Sequence, residues 1–262
     1  MKINFLIDQN HLAYKLWLSS VIDKKKPEKD WQKLKEKIES QFGDYAAYCF
    51  FDKKYMAQGL DWSGYQSGKD NDLIRDEVFI GKIFDEIFRS KVFQKAKKET
   101  EVYLKKVKQQ WEDSKKWLKV FEKYIGLKLS KNVDIFILHP QLKIGSFIKD
   151  GKIEWGNPDN FPNYQFIGIC HEILHLLTED EFNKNKTQED QWLLHAVIYL
   201  AADQELRVRI NSSTYFLPEL NKYYHPKLIS KATEILPLWK EFLKNRTQKS
   251  IVAFFRSMKP NY

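Results

Sequence analysis

Apolar and polar positions alternate along this chain with a period that changes from segment to segment. Residues 2–7 form a short apolar run that predicts a strand, and 11–22 predict a helix broken by the polar run 24–27. A second helix is expected from Glu28 or Asp30 to Phe42, with Gly43 as its stop. Residues 44–57 are aromatic and fit helix or strand, 61–72 read as a polar loop, and 72–88 as an amphipathic helix. The strongest period follows. Phe93, Ala96, Thr100, Leu104, Val107, Trp111, Ser114, Leu118, Phe121 and Ile125 recur at steps of three or four, predicting one long helix over 91–125 that stops at Gly126.

Beyond Gly126 the pattern turns strand-like. Residues 133–138 predict a strand, and 144–149 and 152–155 flank Asp150-Gly151, a two-residue hairpin signal. Asn157–Asn160 breaks the chain before a helix expected over 162–177. A polar loop is expected over 181–189, then a helix from Gln188 or Asp190 to 210, and closing helices over 227–244 and 250–258. The expected fold is α+β. A helical region 1–126 precedes a second region 127–262 that holds a small sheet and helices.

Composition narrows the class. The 262 residues are 43% hydrophobic, with 18 Phe, 13 Tyr and 8 Trp, which is too aromatic for a disordered chain. No apolar run approaches the roughly 18 residues of a membrane span. The first residues do not read as a signal peptide, and two cysteines do not make a disulfide framework. A cytoplasmic protein is expected. The net charge of +9 sits almost wholly on residues 91–131, where 13 Lys face 5 acidic residues. Only six of the 44 basic residues are Arg, whereas dedicated phosphate readers favour the planar Arg fork. The Lys excess therefore reads as the solvated side of the long helix, and neither nucleic acid nor membrane is an expected partner.

The chemistry is carried by His171-Glu172-Ile173-Leu174-His175. HExxH on a helix sets two imidazoles one turn apart on one face, able to hold one zinc ion (Zn²⁺), with the glutamate placed as a general base. Its flanks, Ile167–Cys170 and Leu176-Leu177, are uncharged, as a helix buried beneath a cleft requires. Cys170 points off the metal face and reads as a small buried hydrophobe.

On these residues the chain resembles the zincins, the HExxH metallopeptidase superfamily, over roughly 133–210. The resemblance implies a zinc hydrolase acting on a peptide or protein substrate that lies extended along an edge strand. The metzincin pattern would need Gly at position 178 and His at 181, where this chain has Thr178 and Glu181. The gluzincin group, which takes a Glu from the next helix, is the nearer likeness. Glu205 is then the first candidate for the third ligand, with Asp203, Glu179 and His195 behind it. Glu205 lies thirty positions after His175, more than the roughly twenty of thermolysin-like enzymes, and the Glu-x-x-x-Asp pairing is missing because Arg209 follows Glu205 by four. Zincins often place a Tyr or His to stabilise the oxyanion, for which Tyr215 and His225 are candidates. Two rivals stay open: a catalytically silent zincin that binds a partner protein, and a polyanion binder acting through residues 91–131.

Overall fold

Among the described residues, four short strands and a larger set of helices make an α+β chain. The computed structural model describes residues 2–22, 29–42, 81–130, 132–148, 151–184, 187–218, 222–245 and 249–259. The expected segments 44–57 and 61–72, and the start of the 72–88 helix, lie outside them. The chain divides into two units. One joins Met1–Phe5, Leu104–Phe136 and Ile144–Tyr262; the other joins Leu6–Tyr103 and Ile137–Lys143. The composition break at 126–127 falls inside the first.

The second unit is built from α1 (Gln9–Ile22), α2 (Lys29–Phe42), a helical stretch over 81–89 and the start of α3 (Lys91–Ser114). Trp31, Leu34 and Ile38 are buried at helical spacing, as are Ile83 and Ile87. Ser90 separates the last two helices: its hydroxyl accepts from Phe93 N at 3.2 Å, the kind of cap that starts a helix.

In the first unit, the long periodic helix is cut once. α3 ends at Ser114, a 3₁₀ turn covers Lys115–Trp117, and α4 runs Leu118–Ile125. The apolar stripe holds across the cut. Phe93, Ala96, Val107, Trp111, Phe121 and Ile125 are buried, Leu104 and Leu118 half-buried. Lys95, Lys98, Lys105, Lys106 and Lys108 are exposed, so the basic side is the solvated one. Gly126 ends α4 at φ 67°, and a Cβ there would lie 1.9 Å from the Lys249 carbonyl oxygen. Only glycine fits.

The sheet has the order β1 (Ile3–Leu6), β2 (Val133–Ile137), β4 (Lys152–Gly156), β3 (Ile144–Phe147). β3 and β4 form the expected antiparallel hairpin, and β3 is left at the edge. Gly145 pairs directly with Trp155, whose ring covers it on the face toward helix α5 (Tyr164–Leu177). There the ring meets Gly168, where a Cβ would stand 2.1 Å from indole Cη2, and Trp155 Nε1 donates to Gln165 Oε1 at 2.6 Å. One indole thus fixes how closely the edge strand and α5 approach.

After α5 comes α6 (Glu179–Lys184), where a polar loop was expected. Its first turn is Glu179, Asp180 and Glu181, acids that favour a helix N-terminus, and Glu181 is fixed by Arg256. α7 (Gln188–Tyr199) starts on Thr187, whose hydroxyl accepts from Asp190 N. It continues through a π-helical stretch, Leu200–Leu206, into α8 (Arg207–Asn211). α9 (Pro226–Asn245) packs along α7, and α10 (Ile251–Ser257) follows. Among the described residues no helix is long and apolar enough to cross a membrane.

Candidate metal centre

Helix α5 is apolar on nearly every side, and residues Gln165–Leu174 are all buried. His171 and His175, one turn apart, turn their rings to the same side, with Nε2 atoms 3.1 Å apart. Helix α7 brings a third ring against them: His195 Nε2 lies 3.3 Å from His171 Nε2. One nitrogen from each of the three rings falls within 4.8 Å of the others, and they are the one group among the described residues that could hold a metal ion.

Zinc–nitrogen bonds of about 2.0–2.1 Å at tetrahedral angles set ligand nitrogens about 3.3–3.4 Å apart. The His195–His171 and His175–His171 separations, 3.3 and 3.1 Å, lie near that spacing, and imidazole nitrogens crowded in this way are a donor set that suits zinc. The set fits the ion.

A second interaction fixes which nitrogen is offered. Asp203 Oδ2 is hydrogen-bonded to His171 Nδ1, which leaves His171 Nε2 toward the other two rings. Burial opposes charge on His171, but the Asp203 carboxylate, with Glu172 behind it, outweighs burial and holds the ring up to about 9. Burial and the charge on His171 push His175 well below its ordinary value and His195 down to about 3. Of the three rings His171 is thus the one that favours the extra proton, and His175 and His195 favour the neutral form, each with one N–H and one acceptor nitrogen.

Glu205 is not in this group. Its carboxylate is engaged by Arg209 and by the Tyr215 hydroxyl. The π stretch gives the reason. In continuous α winding of about 100° per residue, Asp203 and Glu205 would each lie about 80° from the direction of His195, on opposite sides. Hydrogen bonds to the fifth rather than the fourth preceding residue widen the turn to about 4.4 residues, or about 80° per residue. Three such steps after Leu200 bring Asp203 to within about 20° of His195, and two more carry Glu205 to the far side. Backbone groups of this wider turn are met from outside. Tyr124 donates to Ala201 O at 2.6 Å and Arg207 Nε to Asp203 O at 2.8 Å.

Glu172 stands beside the edge strand. A Cβ on Gly145 would lie 3.2 Å from Glu172 Oε1, and Gly145 itself is exposed. Of the two oxyanion candidates, Tyr215 is held by Glu205, whereas His225 stacks on Trp192 at 4.9 Å, the ring that lies parallel to His195 at 6.3 Å. Glu179 is half-buried on α6 and is not part of the imidazole group. Cys170 is fully buried, and burial raises its thiol well above the ordinary range.

Sequence reasoning ranked His195 behind Glu205, and it did not identify Asp203 as the partner of His171. One signal was available: His195 follows His175 by twenty positions, the spacing of thermolysin-like enzymes, with His where a Glu is usual. Comparison with protein-family models, with curated proteins and with solved structures finds no match.

Proposed function

We propose that this protein is a zinc-dependent hydrolase of peptide bonds, zincin-like, with His195 in place of the usual glutamate as third ligand. The observation that carries the reading is the meeting of three imidazoles from α5 and α7 beside Glu172 and β3, the edge strand among the described residues. His171, His175 and His195 would hold the ion through Nε2, and Asp203 keeps His171 in the orientation this needs. Bound there, zinc lowers the pKa of a water toward about 7 and polarises the scissile carbonyl.

This chain's residues supply the rest. Glu172 takes the proton of the attacking water and returns it to the departing amine nitrogen as the C–N bond breaks. Strand β3, hydrogen-bonded to β4 on one side, offers its other edge to an extended peptide, which would pair backbone to backbone. Gly145, without a side chain, lets Trp155 and the Glu172 carboxylate come close against the strand, which sets Glu172 beside the edge where that peptide would lie.

The test is a peptide-library digest by purified protein, repeated after chelation and after one equivalent of zinc is restored. Cleavage should vanish on chelation and return with zinc. Cleavage that persists without metal, or a zinc-loaded protein that cuts nothing in the library, contradicts the reading.

A further inference from the structure

The Asp203 carboxylate is buried and has a partner on each oxygen. Oδ2 holds His171 Nδ1, and Oδ1 accepts from the Tyr224 hydroxyl at 2.8 Å. A carboxylate held from one side can rotate about its own bond; held from both, it is fixed in plane. Tyr224 comes from none of the helices that carry the imidazoles. It lies in the segment that joins α8 to α9, and its ring packs edge-on against Tyr199 at 4.7 Å. Burial and the neighbouring Asp203 charge push its hydroxyl well above the ordinary tyrosine range, so it remains a donor.

The segment that delivers Tyr224 is tied to the same π stretch that delivers Asp203. Arg207 donates to Ser213 Oγ at 2.9 Å and to Thr214 O at 2.8 Å, and Gln204 Oε1 accepts from Phe216 N at 2.7 Å. Tyr215 reaches Glu205. Between these ties the chain passes through two left-handed non-glycine residues, Ser212 at φ 48° and Phe216 at φ 50°. Such conformations persist where the surroundings hold them. Residues 203–207 therefore do two things together: they place Asp203 at His171 and they hold residues 213–216, which precede Tyr224 in the chain.

We propose that Tyr224 is a positioning residue for the metal centre, its hydroxyl locking Asp203 so that His171 presents Nε2 to the ion. The proposal rests on the zinc reading above. It predicts a specific coupling: Tyr224 acts on the metal only through Asp203.

Zinc affinity is measured by competition with a chromogenic chelator in four proteins: wild type, Tyr224→Phe, Asp203→Asn and the double variant. Tyr199→Phe, which removes the hydroxyl that accepts from Gln204 Nε2 at 2.6 Å and leaves both partners of the Asp203 carboxylate in place, is the control. Tyr224→Phe should raise the zinc dissociation constant about 3- to 10-fold, less than the about 10- to 100-fold expected when the orienting group itself is changed. Tyr199→Phe, and Tyr224→Phe placed on Asp203→Asn, should each change it less than about twofold. An unchanged affinity in Tyr224→Phe, an equal loss in the Asp203→Asn background, or an equal loss from Tyr199→Phe overturns the proposal. So does a Tyr224→Phe protein that does not fold, since its role is then structural. A wild type that binds no zinc fails the underlying reading instead.

Discussion

Asp203 and His171, 32 positions apart in sequence, meet through a carboxylate oxygen and ring Nδ1, and this contact decides how the three-histidine cluster is presented. Replacing Asp203 by Asn keeps the shape and removes the charge. Zinc affinity should fall about 10- to 100-fold, the usual worth of a group that orients a metal-bound histidine. Chelator competition checks it, and an unchanged affinity would mean that His171 is oriented by something else.

The same pair gives a pH dependence in metal-free protein. His171 is raised from 6.5 to about 9, so its contact with Asp203 stabilises the fold fully below 6.5 and loses that contribution as pH rises through about 9. The melting-temperature gap between wild type and Asp203→Asn, measured in chelator, should be widest near pH 6 and shrink toward about pH 10. A gap that widens with pH has the wrong sign for this pairing.

His195 and Glu205 separate the third ligand proposed here from the one the sequence suggested. His195→Ala should lose stoichiometric zinc, and Glu205→Ala should keep it while losing about 1–3 kcal/mol of stability, because Tyr215 and Arg209 lose their acceptor. Elemental analysis and thermal melts report the two effects independently. Zinc lost only in Glu205→Ala would restore the sequence-based expectation.

These results mark where sequence stops being legible. The HExxH helix, the hairpin about Gly151 and the buried stripe of α3 and α4 were readable because 3.6- and 2-residue periods record directly which side is buried. The third imidazole of the cluster was not. The expectation of Glu205 beside the two histidines assumed α winding through residues 200–206, and the π stretch there turns Glu205 away from the imidazoles and Asp203 toward them. Ala201 and Ala202 fit either winding, so the apolar pattern carries no trace of the change. The short helix α6 was hidden for a different reason: its polar composition reads as a loop, and its one buried acid, Glu181, is held by Arg256 from far along the chain.

Gly168 offers a test of the spacing between sheet and metal helix. Gly168→Ala would drive a methyl to 2.1 Å from the Trp155 ring, which Gly145 and the Gln165 hydrogen bond leave little room to retreat. Overpacking of this kind costs about 1–3 kcal/mol. Denaturant titration should show that loss, and a neutral substitution would mean that the indole can move.

The basic face of α3 should matter little. Lys95, Lys98, Lys105 and Lys108 are exposed, and Lys106 pairs with Asp159 while its side chain stays 53% exposed. Changing all five to Gln should shift stability by less than about 1 kcal/mol per residue and leave peptide cleavage unchanged. A large loss of activity would show that substrate or a partner covers this face.

Glu172→Gln tests the central claim most directly. Gln keeps the size of the side chain beside Gly145 but cannot accept a proton near neutral pH. Because the proposed ligands are the three imidazoles and not Glu172, zinc content and folding should match wild type. Cleavage of a peptide that wild type hydrolyses should fall by about 10²- to 10⁴-fold, the usual worth of general-base assistance. Full activity in zinc-loaded Glu172→Gln contradicts the account.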